Sequence, residues 1–244
     1  MVPRKIFLAG AAGAIGRRLV PLLRQAGHEV FGTTRAAARA ETLRALGARP
    51  VVVDAFDLAA LRDAVGAARP DVVIHQLTDL PKNLDPARMG AALPRNARIR
   101  EEGTRNLVMA ALAAGARRLI AQSIAWGYAP GREPHAESDP LDSAASGERG
   151  ITLRGVIALE TLTLQSPPLE GVVLRYGQLY GPGTHSESPS SLSPLHVDAA
   201  AFAAFLAVDH GAPGAYNIAQ DNPHVTTDKA RRELGWNASF RLPA

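Results

Sequence analysis

The chain has 244 residues, 46% of them apolar, with a formal net charge of +4 and no cysteine. That length buries a full core, enough for one α/β domain with a small appendage, and the lack of cysteine excludes disulfides, thiolate metal sites and a cysteine nucleophile. No apolar run approaches the roughly 20 residues of a membrane span, and the arginines are scattered singly, without the clustered basic and aromatic face that nucleic acid requires. The first residues enter a strand directly with no signal-peptide pattern, so the expected compartment is the cytoplasm. Lys5-Ile-Phe-Leu-Ala9 is that strand, and it breaks into glycines at Gly10, Gly13 and Gly16. Ile15, Leu19, Leu22, Leu23 and Ala26 then recur at helical spacing, and Gly27 ends the helix ahead of a second strand over 28–34.

The alternation continues. A helix is predicted near 38–46, a strand over 49–53 ending at Asp54, a helix over 58–67 and a strand over 71–75. A long helix follows over 89–114, capped by Gly115, and then a fifth strand over 117–123. Residues 127–150 are rich in Gly, Pro, Ser and acidic groups and read as a loop over the carboxyl edge of the sheet. A helix over 151–164, a strand over 171–175, a Ser- and Pro-rich lid over 181–195, a helix near 197–208, a short strand over 215–218 and a helix near 227–234 complete the chain. Short apolar strands alternating with helices require a parallel sheet covered on both faces. The right-handed crossover rule makes this a Rossmann-like, doubly wound α/β domain, with a small C-terminal substrate-binding lobe formed mainly by about 176–244.

Strand, glycine turn, helix and strand form the unit that holds a dinucleotide pyrophosphate. Glycine supplies the φ freedom of the turn, and missing side chains let backbone N–H groups approach a phosphate at the positive end of the helix. The expected cofactor contacts are Gly10, Gly13, Ala14, Ile15 and Gly16, with Arg35, Arg39, Asp54, Ala55, Gln76 and Leu77 at the neighbouring strand ends. An acidic residue at the end of the second strand would hold both ribose hydroxyls of NAD and repel a 2′-phosphate. Thr33-Thr34-Arg35 stands there, with Arg39 one turn on, and a guanidinium pairs with phosphate, so NADP(H) is favoured over NAD(H). The plainer reading of both arginines is exposed charge at a helix entry. Asp54 equally suits a cap for the helix beginning near Asp57.

The chain resembles the extended short-chain dehydrogenase/reductase superfamily of NAD(P)-dependent epimerase/dehydratase type along almost its whole length. The resemblance rests on Gly10-Ala-Ala-Gly13-Ala-Ile-Gly16, Asp54, Val72-Val-Ile-His75, Glu102-Gly-Thr-Arg-Asn-Leu107, Ser123, Arg175, Tyr180-Gly-Pro182, His196-Val-Asp198 and Glu233-Leu-Gly-Trp236. It implies that Asp54 lies beside the adenine, that His75 is structural and cofactor-lining, and that Ser123 orients a substrate oxygen. It also implies a homodimer through the helices near 89–114 and 151–164.

The family's Tyr-x-x-x-Lys motif is missing. Aligning Glu160 with the acidic residue that commonly follows the motif puts Thr152 and Val156 at the Tyr and Lys positions, and residues 129–175 hold no tyrosine or lysine in any register. The chain's lysines are Lys5, Lys82 and Lys229. Another phenol could donate the proton, Tyr128 first and Tyr176 second, or the acceptor could need none, as for an enone or imine. Trp126, Arg175, Tyr176 and Tyr180 are the expected substrate contacts, Arg175 pairing with an acidic substrate group or anchoring the loop through Tyr180-Gly-Pro182; His135 and His185 are expected on the surface. The expected function is an NADP(H)-binding oxidoreductase acting on a small carbonyl, enone or imine. The alternatives are a catalytically silent NADP-binding regulator and a sugar-nucleotide epimerase or dehydratase.

Overall fold

Alternation along β1 (Lys5–Ala9) sets both faces of the molecule: Ile6 and Leu8 point into one core, Phe7 and Ala9 into the other. The computed structural model describes residues 2–189 and 191–243. After β1 come α1 (Ala14–Gln25), β2 (Glu29–Thr34), a 3-10 turn Ala37–Arg39 running into α2 (Ala40–Ala45), β3 (Arg49–Val52), α3 (Leu58–Ala68) and β4 (Val72–His75). The long helix is α4 (Pro86–Arg98), a π-helical turn Ile99–Gly103 and α5 (Thr104–Ala113) in unbroken succession. The second half holds β5 (Arg118–Ile124), α6 (Gly147–Leu164), β6 (Glu170–Tyr176), β7 (Gln178–Tyr180), β8 (Pro194–His196), α7 (Val197–Leu206), β9 (Gly214–Ile218) and a terminal π-helical turn Ala230–Leu234.

Seven strands form one parallel sheet in the order β3-β2-β1-β4-β5-β6-β9. The doubly wound expectation holds. α1 and α7 cover one face with Leu19, Leu23, Ala200 and Ala204, while α3 and α5 cover the other with Leu61, Val65, Leu107 and Ala111. The chain winds outward from β1 to β3 and then crosses to β4, so the switch point lies between β1 and β4. The C-terminal part is less separate than expected, because α7 packs on the main sheet and β9 extends it.

Outside the sheet stand the β7–β8 parallel pair and the segments around it. β8 occupies Pro194–His196, overlapping the end of the stretch read as a lid. A three-residue strand opened by proline leaves no alternating pattern to read. Ser190, in that same stretch, lies outside the described residues. No described helix is long and apolar enough to cross a membrane.

Candidate active site

The glycine loop joins β1 to α1 at the switch point. Gly10 has φ +91°, and a Cβ there would stand 2.6 Å from the Gln76 carbonyl oxygen. At Gly16 a Cβ would meet the Gly10 and Ala11 carbonyl oxygens at 2.5 and 2.6 Å, so that glycine lets α1 lie on the loop. Gly13 is different: its Cβ would meet only the Gly10 carbonyl, at 3.3 Å. The first helical bond runs from the Arg17 N–H to the Gly13 carbonyl, leaving the Ala14 and Ile15 N–H groups ahead of it. α1 has no side-chain cap and no acidic residue in its first turn. A bare helix start beside a residue without a side chain suits an anion.

From this point a crevice of about 160 Å³ runs along the strand ends, walled by Gly13, Thr34, Arg35, Asp54, Ala55 and Leu77. Arg39 and Gln76 also line it. The Gln76 Oε1 is buried there without a donor, while its Nε2 donates to the Tyr176 hydroxyl at 3.4 Å. Arg35 stands 3.9 Å from Asp79, which Arg95 also approaches at 3.7 Å. Asp79 is placed by its own N–H, which donates to the Asn96 side-chain oxygen at 2.9 Å. Asp54 is not the cap of α3. Its carboxylate accepts the Phe56 N–H at 3.0 Å, whereas Asp57 caps the helix by accepting the Ala60 N–H at 3.0 Å. Asn106 donates to the Ala55 carbonyl at 2.9 Å and fixes that wall. Of the dinucleotide contacts expected from the sequence, Gly10, Gly13, Arg35, Arg39, Asp54, Ala55, Gln76 and Leu77 line this one crevice, whereas Ala14, Ile15 and Gly16 are not among its walls. Its donor set, the bare helix start beside it and the buried acceptor suit such a ligand.

His75 is enclosed at the end of β4. Its Nδ1 accepts the Leu77 N–H at 3.2 Å, which puts the ring proton on Nε2, 2.9 Å from the Thr104 hydroxyl. Burial, aided by the nearby Arg100 guanidinium, lowers its pKa to about 3, so it is a neutral structural donor.

Ser123 and Arg175 sit opposite each other in the β5–β6 register, and both reach Glu160 on α6. The Ser123 hydroxyl, 1% exposed, donates to Glu160 Oε1 at 2.6 Å. Arg175 donates to the same carboxylate through Nη2 at 2.7 Å and Nε at 3.0 Å. Its Nη1 donates to the Tyr128 hydroxyl at 2.9 Å, and that hydroxyl donates to the Asn217 side-chain oxygen at 2.6 Å. Burial raises the Tyr128 pKa, against the pull of Arg175, and the ring stacks on His135 at 4.8 Å. Ser123, Tyr128 and Arg175 are thus brought together within one buried polar chain. The hydroxyl expected to orient substrate is committed to Glu160, and the guanidinium expected to meet an acidic substrate is paired inside the protein.

The remaining candidates are spread out. Tyr176 is buried behind Gln76, and burial raises its pKa. Trp126 is 41% exposed on a loop that Arg149 pins by donating to the Trp126 and Tyr128 carbonyls while pairing with Asp142 at 3.0 Å. Tyr180, on β7, accepts from Gln220 at 2.8 Å and from Arg241 at 3.2 Å, away from the Ser123 group. His135, expected on the surface, is buried between Tyr128 and Asp139.

At the two positions of the missing motif, Thr152 is half-buried and Val156 is fully enclosed, packed with Ile124 and Leu153. Where an ammonium would be needed there is an apolar plug. Sequence reasoning missed Ile124, Asn217 and Arg100, and used Glu160 only to set a register. A carboxylate on the same helix face as Val156, Leu159 and Thr163 was the available signal for Glu160. Arg100 gave none, because the π turn breaks the helical period around it.

The NAD dependent epimerase/dehydratase family is matched over residues 6–204. A Streptomyces 3-diazoavenalumate denitrifying reductase is 43% identical over 240 residues, covering 90% of this chain and 77% of the relative. Among solved structures, the Thermotoga maritima UDP-glucose 4-epimerase with UDP-glucose superposes with a TM-score of 0.75 at 18% identity, covering 97% of this chain and 94% of the other. The Bordetella bronchiseptica enzyme WbmG with NAD and UDP superposes with a TM-score of 0.75 at 21% identity, covering 99% and 91%. Identities that low establish a shared fold.

Proposed function

The chain belongs to the NAD dependent epimerase/dehydratase family, and from that premise we propose that it is an NADP(H)-dependent reductase whose small organic acceptor needs no proton from the protein. The observation that carries this reading is the apolar plug of Ile124, Leu153 and Val156 at the missing motif. Reduction of a carbonyl, or epimerisation of a sugar nucleotide, needs a proton donor or acceptor at the reacting oxygen, the role that the family gives to the missing Tyr-x-x-x-Lys pair. Here the Tyr128 hydroxyl donates to Asn217 and burial raises its pKa.

Ala14, Ile15 and Gly13 would receive the pyrophosphate, and Arg35 with Arg39 a 2′-phosphate; no acidic residue ends β2 to oppose it. Bound in this crevice, the dinucleotide supplies a hydride. Gln76 lies where its free Oε1 can accept a hydrogen bond from the ligand, and Tyr176 holds the amide in place. The relative named for a diazo substrate points to an acceptor class that fits. An aryl diazonium that gains hydride at carbon gives up the C–N bond pair with dinitrogen, so charge and atoms balance without a protein acid. Pairing of two subunits through α5 and α6 belongs to the same reading, and Met109, Leu112 and Leu164 stand exposed on those helices.

The test is a panel of aryl diazonium salts, enones, imines and aldehydes, with loss of reduced nicotinamide as the readout. Diazonium reduction should proceed with NADPH, release dinitrogen, and carry deuterium from labelled cofactor onto the ring carbon. Turnover restricted to aldehydes, or tight NADPH binding with no turnover on any acceptor, would reject the proposal; the second result would favour a regulator. Arg35→Ala should weaken NADPH about tenfold or more, as expected for losing a charge-assisted contact, and leave NADH binding unchanged.

A further inference from the structure

Beneath the crevice lie two buried guanidiniums, Arg100 and Arg175, and the buried carboxylate of Glu160, while the half-buried Glu137 carboxylate accepts the Asn217 N–H at 2.8 Å at the Tyr128 end of the polar chain. Glu160 spends both oxygens on Arg175 and one of them also on Ser123. Arg100 is 5% exposed on the π turn between α4 and α5, and its Nη1 is sealed from solvent with no acceptor. Its guanidinium makes no ion pair among the described residues. The polar groups around it supply no countercharge: His75 is neutral, the Thr104 hydroxyl bonds His75, and the Ser123 hydroxyl bonds Glu160. Burial depresses the Arg100 pKa to about 10, with only the Glu160 carboxylate acting the other way. Arg100 itself is left without a partner among the described residues, and an uncompensated buried cation is costly.

The residue before it, Ile99, lines the crevice. A dinucleotide pyrophosphate is claimed by the start of α1, next to β1. The π turn carrying Arg100 instead runs into α5, whose Thr104 hydroxyl is 2.9 Å from His75 at the end of β4, next to β5 and on the side of the switch point where the acceptor of the reductase reading would lie. π turns recur at functional positions because they turn one side chain out of the helical period. We propose that Arg100 is the receptor for a carboxylate on the substrate, so that this site takes organic acids and not their neutral counterparts. The assignment rests on the reductase reading for where the substrate lies.

Benzoate and trans-cinnamate, titrated into the NADP-loaded protein against the corresponding amides, test it by binding alone. The acids should bind about tenfold or more tightly than the amides, the worth of a charge-assisted bond. Arg100→Gln should abolish that preference with dinucleotide affinity unchanged, and Arg100→Lys, which keeps the buried charge, should retain part of it. Equal binding of acid and amide by the native protein would overturn the assignment. So would an acid preference that survives Arg100→Lys and Arg100→Gln alike. A purely structural Arg100 would lower the melting temperature on substitution without moving the acid-to-amide ratio. The two readings fail separately. Acid binding that depends on Arg100 without NADPH consumption on any acceptor sinks the reductase and keeps the anion site. NADPH consumption at equal rates on a diazonium and its carboxylated analogue, in native and Arg100→Gln protein alike, does the reverse.

Discussion

His75 carries its own pH signature. Its pKa is about 3 in the fold against about 6.5 when exposed, so between those values the unfolded chain binds a proton that the folded chain refuses. Stability is whole above pH 6.5 and declines as pH falls, by up to ~1.4 kcal/mol per pH unit from this one group. Burial lowers His28 and His196 as well, adding slope of the same sign. Urea midpoints at pH 5 and pH 7 should differ less in His75→Gln than in the native protein. Glu160 is the second residue to test, because removing its charge strands the buried Arg175 guanidinium. Glu160→Gln should cost ~3–5 kcal/mol, the penalty for breaking a buried pair, whereas Ser123→Ala loses one hydrogen bond to a charged acceptor, ~1.5–3 kcal/mol. Chemical denaturation that ranks them in the opposite order would show that Arg175 finds another partner.

Among the elements, the glycine loop separates fold from function. Gly16→Ala forces a Cβ against two backbone carbonyls and should cost ~1–3 kcal/mol or more. Gly13→Ala meets one carbonyl at 3.3 Å and should fold, yet fill the space in front of α1 and weaken NADPH about tenfold or more. Calorimetric titration of both variants, beside their melting curves, checks the split. This loop was legible in the sequence because each glycine answers a local need. The seven sheet strands were legible too, since strands covered on both faces read as short apolar runs such as Ile6-Phe7-Leu8, set between helical stripes such as that from Ile15 to Leu23. β7 and β8 are three residues each and have no period to show. The buried polar chain was legible as a set of residue types and not as a geometry, because its bonds join residues 15 to 89 positions apart. Burial then turned Ser123 and Tyr128 inward.

At the scale of the molecule, a ligand that binds only the folded chain stabilises it by mass action, so NADPH at a hundred times its Kd should add ~2.7 kcal/mol. NADH at the same concentration should add less if Arg35 and Arg39 read a 2′-phosphate. Differential scanning with matched concentrations decides the point. The π turn at Ile99–Gly103 bears on this as a matter of phase. Before it, α4 reaches Asp79 through Asn96; after it, α5 reaches His75 through Thr104 and Ala55 through Asn106. Each residue of an α-helix advances by about 100°. A π turn spreads one extra residue over nearly the rotation of an ordinary α turn, so deleting Glu101 should leave a continuous α-helix with Thr104 and Asn106 still facing His75 and Ala55. The surplus residue is absorbed between the two grips of the same rod, and Arg100 is carried on it.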